Sequence, residues 1–157
     1  MQKISVLFVC FGNICRSPAA EAIFINLLER NGLTDGFIVD SAGTGSWHIG
    51  KKADSRMRIA AERRDINILS RARKITSNDF YKFNYILAMD DSNFRNIQDL
   101  KNRKPSTDFA SIKKIQDFRS VFNVQEVPDP YFGGDEGFVY VLDILEDSVN
   151  GFLESIS

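Results

Sequence analysis

The chain has 157 residues, 43% of them hydrophobic, enough for one packed core of ordinary size. Its 20 lysines and arginines nearly balance 21 aspartates and glutamates, which removes the electrostatic case for nucleic acid or an anionic membrane as main partner. No apolar run reaches a membrane-spanning length of about 18 residues, and two cysteines, Cys10 and Cys15, make no disulfide scaffold, so a cytoplasmic location with reduced thiols is expected.

In chain order, residues 1–9 are too short for a signal peptide, and the run Val6-Leu7-Phe8-Val9 reads as a strand buried on both faces. A loop from Cys10 to Arg16 follows, and Ser17-Pro18 starts a helix with apolar stripe Ala20, Ile23, Phe24, Leu27 and Leu28, ended by Gly32. A second strand is predicted over 37–40 and a glycine-rich loop with the single tryptophan, Trp47, over 41–53. Asp54 is the predicted cap of a helix to Arg64. Residues 85–89 form a third strand, and Asp90, Asp91 or Ser92 caps a helix towards Lys101. A weaker strand is placed at 112–118, a proline-containing loop at 128–134, and a final helix on the stripe Phe138, Val141, Leu142, Leu145, Val149 and Phe152. Alternating strands and helices, with no repeat or linker, predict an α/β fold: one domain over 1–157 with a parallel sheet and helices on both faces.

The chemistry concentrates in Val9-Cys10-Phe11-Gly12-Asn13-Ile14-Cys15-Arg16-Ser17-Pro18. Cysteine, five residues, arginine is a weak pattern alone; between a first strand and a helix it gains force, because open α/β sheets bind ligands at the carboxyl ends of their strands. Loop N–H groups and the helix N-terminus together make an anion cradle, and the same field stabilises negative charge on the Cys10 sulfur. Arg16 offers a planar fork for two phosphate oxygens. Gly12 and Asn13 adopt positive φ most easily, and the Ser17 hydroxyl can donate to the Cys10 thiolate.

This segment closely resembles the signature of low-molecular-weight protein tyrosine phosphatases, and further similarity runs through Ser41-Ala42-Gly43-Thr44, Trp47-His48, Ala72-Arg73, 83–90 and Asp129-Pro130-Tyr131. The resemblance implies a flavodoxin-like domain with a four-stranded parallel sheet, no metal and no cofactor. It implies hydrolysis of phosphotyrosine through a phospho-cysteine on Cys10, with Arg16 on the phosphate and Asp129 as general acid. A tyrosyl oxygen leaves poorly without a proton, and Pro128 and Pro130 stiffen the loop that would deliver it, although turn chemistry explains Asp-Pro equally well. Trp47, Tyr131 and Phe132 fall where the family has aromatic walls; Phe11, Gly12, Asn13, Ile14 and Cys15 complete the substrate-binding set. Expected partners are tyrosine-phosphorylated proteins, with inorganic phosphate as product and a monomeric enzyme.

The sequence departs from the family at Ser70, Asn84 and Ser55, where many members carry histidine, aspartate and proline, which touches supporting hydrogen bonds rather than the chemistry. The lone His48 is expected at the mouth of the site, and the basic run Arg56, Arg58, Arg63, Arg64, Arg71, Arg73 and Lys74 as a solvated face that attracts acidic protein segments. With no cysteine after Cys15, the arsenate reductase reading nearly closes; arginine phosphatases carry threonine where this chain has Ile14, and large tyrosine phosphatases carry histidine where it has Val9. An inactive phosphate-binding module is a further alternative.

Overall fold

The computed structural model describes residues 2–103 and 110–157; Met1 and 104–109, with the parts of the sequence reading that fall on them, lie outside the described residues. Four strands, β1 (Ile4–Cys10), β2 (Phe37–Gly43), β3 (Tyr85–Ala88) and β4 (Ser111–Lys114), form one parallel sheet in the order β2-β1-β3-β4. The helices are α1 (Arg16–Arg30), α2 (Ser55–Glu62), α3 (Asp79–Lys82), α4 (Asp91–Asn102) and α5 (Asp135–Ile156). This is the expected flavodoxin-like α/β architecture.

Strand alternation in the central β1 divides the core in two. Val6, Phe8 and Cys10 point towards Phe24 of α1, Met57 of α2 and Phe152 of α5, whereas Leu7 and Val9 point towards Phe80 of α3 and Ile97 of α4. Phe24 sets the first core with edge-on or tilted rings, its centroid 5.7 Å from Phe8 and 5.8 Å from Phe152. The chain runs from β1 to β2 on one side and then returns to β3 on the other, so the connections beyond β1 and β3 diverge and leave a crevice at the carboxyl edge.

Several boundaries differ from the sequence reading. β2 runs three residues further than predicted, because Ser41, Ala42 and Gly43 continue the register against Phe8, Val9 and Cys10. α2 stops at Glu62, where Asp65 turns left-handed (φ 59°) and the Ile66 N–H bonds back to the Ala61 carbonyl at 3.0 Å. The strand predicted over 112–118 pairs only as far as Lys114, opposite the end of β3; Ile115–Phe118 coils into a 3-10 turn. The short α3 gave no periodic signal and went unpredicted. Of the three candidate caps for α4, Asp90 is the one used, its Oδ1 accepting from the Asn93 N–H at 2.7 Å.

Candidate active site

The loop after β1 is held from outside by its carbonyls. Cys10 O accepts from the Thr44 N–H at 2.9 Å, Phe11 O from Gly45 at 2.9 Å, Ile14 O from Asp54 at 2.8 Å and Cys15 O from Ala19 at 3.2 Å. In a trans peptide the N–H points opposite to the carbonyl. The N–H groups of Phe11, Gly12, Cys15 and Arg16 therefore face the inner side of the loop. Gly43 makes this approach possible: a Cβ there would stand 2.6 Å from the Phe11 carbonyl oxygen. Asn13 takes the positive φ (56°) the ring requires, and Gly12 does not.

Cys10 ends β1, buried, with the Ser17 hydroxyl 3.0 Å and the Asn13 N–H 3.2 Å from its sulfur. The Asn13 side chain lies behind the loop and off the cavity wall. Its amide donates to Ser17 Oγ at 2.7 Å and to Ser41 Oγ at 3.0 Å, while its oxygen accepts from the Arg73 N–H at 3.0 Å. Its side chain thus supports the loop; only its main chain meets the sulfur. Ser41 in turn donates to Glu21 at 2.6 Å, and burial raises the Glu21 carboxyl above its ordinary range against that bond. Burial, with Asp54 and Cys10 nearby, pushes the Cys15 thiol well above the ordinary thiol range. The two cysteines are both reduced and buried, and only Cys10 carries the serine partner.

Arg16 is 3% exposed, its Nη1 donating to Asp90 Oδ2 at 2.7 Å and to the Val127 carbonyl at 2.9 Å. Burial opposes its charge, but the Cys10 sulfur and the Asp90 bond outweigh burial and hold the guanidinium protonated. Asp90 thus caps α4 with one oxygen and aims Arg16 with the other, a second duty the sequence reading missed. The available signal was its place immediately beyond β3, on the same carboxyl edge as the loop.

Asp129 stands across the loop, its Oδ2 3.7 Å from Arg16 Nη2 and its Oδ1 accepting from the Tyr131 N–H at 3.1 Å. A cavity of about 390 Å³ is lined by Cys10, Phe11, Gly12, Ile14, Cys15, Arg16, Trp47, His48, Asp129, Tyr131 and Phe132. Cys10, Arg16, Asp129 and the aromatic residues singled out from the sequence thus meet in one cleft, with Ser17 and the Asn13 side chain behind its wall. Trp47 and Phe132 are 75% and 93% exposed, so they are rim rather than core. A separate cavity of about 260 Å³ beside Glu21 and Ser70 is lined by neither cysteine. The basic run is not one solvated face: Arg64 pairs with Asp143 and Glu146, Arg73 with Asp40 and Asp79, and Arg56 with Asp54. At the departures, Ser70 lines a cavity with Glu21, Asn84 accepts from the Ser5 N–H at 2.8 Å, and Ser55 opens α2 behind its Asp54 cap.

The family model for low molecular weight phosphotyrosine protein phosphatases matches residues 5–157. The low molecular weight phosphotyrosine protein phosphatase of Schizosaccharomyces pombe is 43% identical over 157 residues, covering 99% of each chain. A crystal structure of the protein tyrosine phosphatase from Entamoeba histolytica, with Hepes in its active site, superposes with a TM-score of 0.92 at 44% identity, over 98% of this chain and 97% of that one. The Drosophila arginine phosphatase superposes with a TM-score of 0.92 at 33% identity, over 97% of both chains. A cysteine-and-arginine anion loop on this sheet order, together with identity of this extent along nearly the whole chain, places the protein in the low molecular weight phosphotyrosine protein phosphatase family of hydrolases.

Proposed function

We propose that residues 1–157 form one catalytic domain that hydrolyses phosphotyrosine in cytoplasmic proteins through a phospho-cysteine on Cys10. The observation that carries the reading is the sulfur of Cys10, backed by Ser17 at 3.0 Å, in one cleft with buried Arg16 and with Asp129. In the first step the Cys10 thiolate attacks phosphorus, an S–P bond forms and the ester O–P bond breaks. Arg16 and the loop N–H groups hold the three phosphoryl oxygens through the transition state, and Asp129 gives its proton to the departing phenolic oxygen. In the second step water attacks phosphorus, the S–P bond breaks and inorganic phosphate leaves. Asp129, now a carboxylate, takes the proton from that water, and the Ser17 hydroxyl receives the returning thiolate.

Shape supports phosphotyrosine over the shorter phosphoserine. A ring is long enough to bring phosphorus to Cys10 while its peptide stays outside the rim of Trp47, Tyr131 and Phe132. Ile14 lines the same cleft with a branched apolar side chain and has no hydroxyl to orient a guanidinium group, which disfavours phosphoarginine. The test is kcat/KM on matched phosphotyrosine, phosphoserine and phosphoarginine substrates. Phosphotyrosine should lead; equal turnover of phosphoarginine would overturn the substrate assignment and leave the cysteine chemistry standing.

A further inference from the structure

The geometry points to Arg56 as the positioning residue that holds the acid-bearing loop over the nucleophile. Arg56 sits in the first turn of α2, next to the cap Asp54, in a run of basic residues that reads as a solvated surface. Its side chain is instead fully engaged. Nε and Nη2 grip the two oxygens of Asp54 at 3.1 and 2.9 Å. Nη2 also donates to the Tyr131 carbonyl at 2.9 Å, and Nη1 to the Gly133 carbonyl at 3.4 Å. The guanidinium carbon lies 4.6 Å from the Phe138 ring centroid and 5.6 Å from that of Tyr131. Asp54 completes the path, since its N–H donates to the Ile14 carbonyl of the phosphate loop at 2.8 Å.

Between Pro128 and Gly133, segment 128–134 otherwise bonds to itself. The Tyr131 N–H goes to Asp129 and the Gly133 N–H to the Pro130 carbonyl. Among the described residues, and apart from the Gly137 N–H that meets the Gly134 carbonyl at 3.1 Å where α5 begins, the hydrogen bonds between this segment and the rest of the protein come from Arg56; the Arg16–Asp129 contact, at 3.7 Å, is an ion pair without one. Val127 and α5 hold the two ends of the loop, and between them Asp129 stands on a stretch anchored by the Arg56 fork, which is tied through Asp54 to the loop bearing Cys10. A planar guanidinium can grip both oxygens of a carboxylate and reach two carbonyls at once, four bonds that an ammonium with three donors cannot make. Loss of the fork should let the carboxyl wander from the leaving oxygen, and a displacement of about 1 Å at a reacting group can cost roughly 10²-fold.

The inference rests on Asp129 as the acid, and one series of measurements separates the two. Arg56→Ala, Arg56→Lys and Asp129→Ala, with the Arg56→Ala/Asp129→Ala pair, are compared on aryl phosphates spanning acidic to poor leaving groups. Both Arg56 variants should lose about 10-fold or more on phenyl phosphate and little on substrates with strongly acidic leaving groups. In the Asp129→Ala background Arg56→Ala should add almost nothing, since both changes remove the same proton delivery. A flat loss for Asp129→Ala would sink the acid assignment itself. A steep loss for Asp129→Ala with a flat, additive loss for Arg56→Ala and Arg56→Lys would overturn the positioning role alone. If Arg56→Ala fails to fold, Arg56→Lys gives the same reading.

Discussion

Cys10 and Cys15 share one loop and meet different surroundings. Cys10 has the Ser17 hydroxyl and an N–H at its sulfur, while burial and nearby negative groups hold Cys15 as a thiol. Their spacing suggests a redox device, in which peroxide oxidises the Cys10 thiolate to a sulfenic acid and Cys15 displaces hydroxide from it to close a disulfide. Only a thiolate attacks, so Cys15 must first lose its proton. Bridging after mild peroxide should therefore accelerate as pH rises. Mass spectrometry reads it, and over-oxidation of Cys10 at every pH without a bridge would show that the device does not exist. At the rim, Trp47 and Phe11 both pack over Gly45, with a Cβ there 3.1 and 3.2 Å from their rings. Three-quarters of Trp47 stays exposed and available to a substrate ring. Since burial is worth about 25 cal/mol per Å² of apolar surface, Trp47→Ala should lower kcat/KM on aryl phosphates by a larger factor than on alkyl phosphates. Equal factors would remove Trp47 from the wall.

At the scale of elements, the proposed site depends on how closely β2 lies against the loop after β1. Gly43 ends β2 with no room for a methyl group beside the Phe11 carbonyl and Asn13. Gly43→Ala should cost about 1–3 kcal/mol of stability, as overpacking does, and should depress kcat by displacing the loop. A variant with unchanged kcat and denaturation midpoint would contradict that packing. The strand β1, the loop and the helix α1 were legible in the sequence because apolar alternation, a cysteine–arginine spacing and proline near a helix start are local signals. What joins them was not. Arg16 and Asp90 are 74 positions apart, and Arg56 and Tyr131 are 75 apart. Such contacts follow from the sheet order, which hydrophobic periodicity does not encode. The last residues of β2 were read as loop because Ser41 and Gly43 are poor strand formers; seven paired residues of β1 override that preference.

Across the whole molecule, the loop bearing Asp129 lies in the chain between the 3-10 turn after β4 and α5, and α5 ties down the segment that follows that turn. The Asp147 carboxylate accepts N–H groups from Ser120, Val121 and Phe122 at 3.0 to 3.1 Å. Burial opposes the charge, yet these bonds outweigh it and lower the carboxyl below its ordinary value of 3.8. A depressed folded value contributes stability above the unfolded value and loses it as pH falls through the folded one. Asp147→Asn should therefore lower Tm at neutral pH, and the difference from the parent should vanish in acid below the carboxylate range. A pH-independent difference would contradict the charged role. The central claim is the covalent step on Cys10, and rapid acid quench during turnover of an aryl phosphate tests it most directly. Peptide mass spectrometry should find one phosphoryl group on Cys10, and Cys10→Ser should form none and lose about 10⁴-fold or more in turnover. Full turnover with no phosphoryl group on Cys10 at any quench time, or appreciable activity in Cys10→Ser, would contradict it.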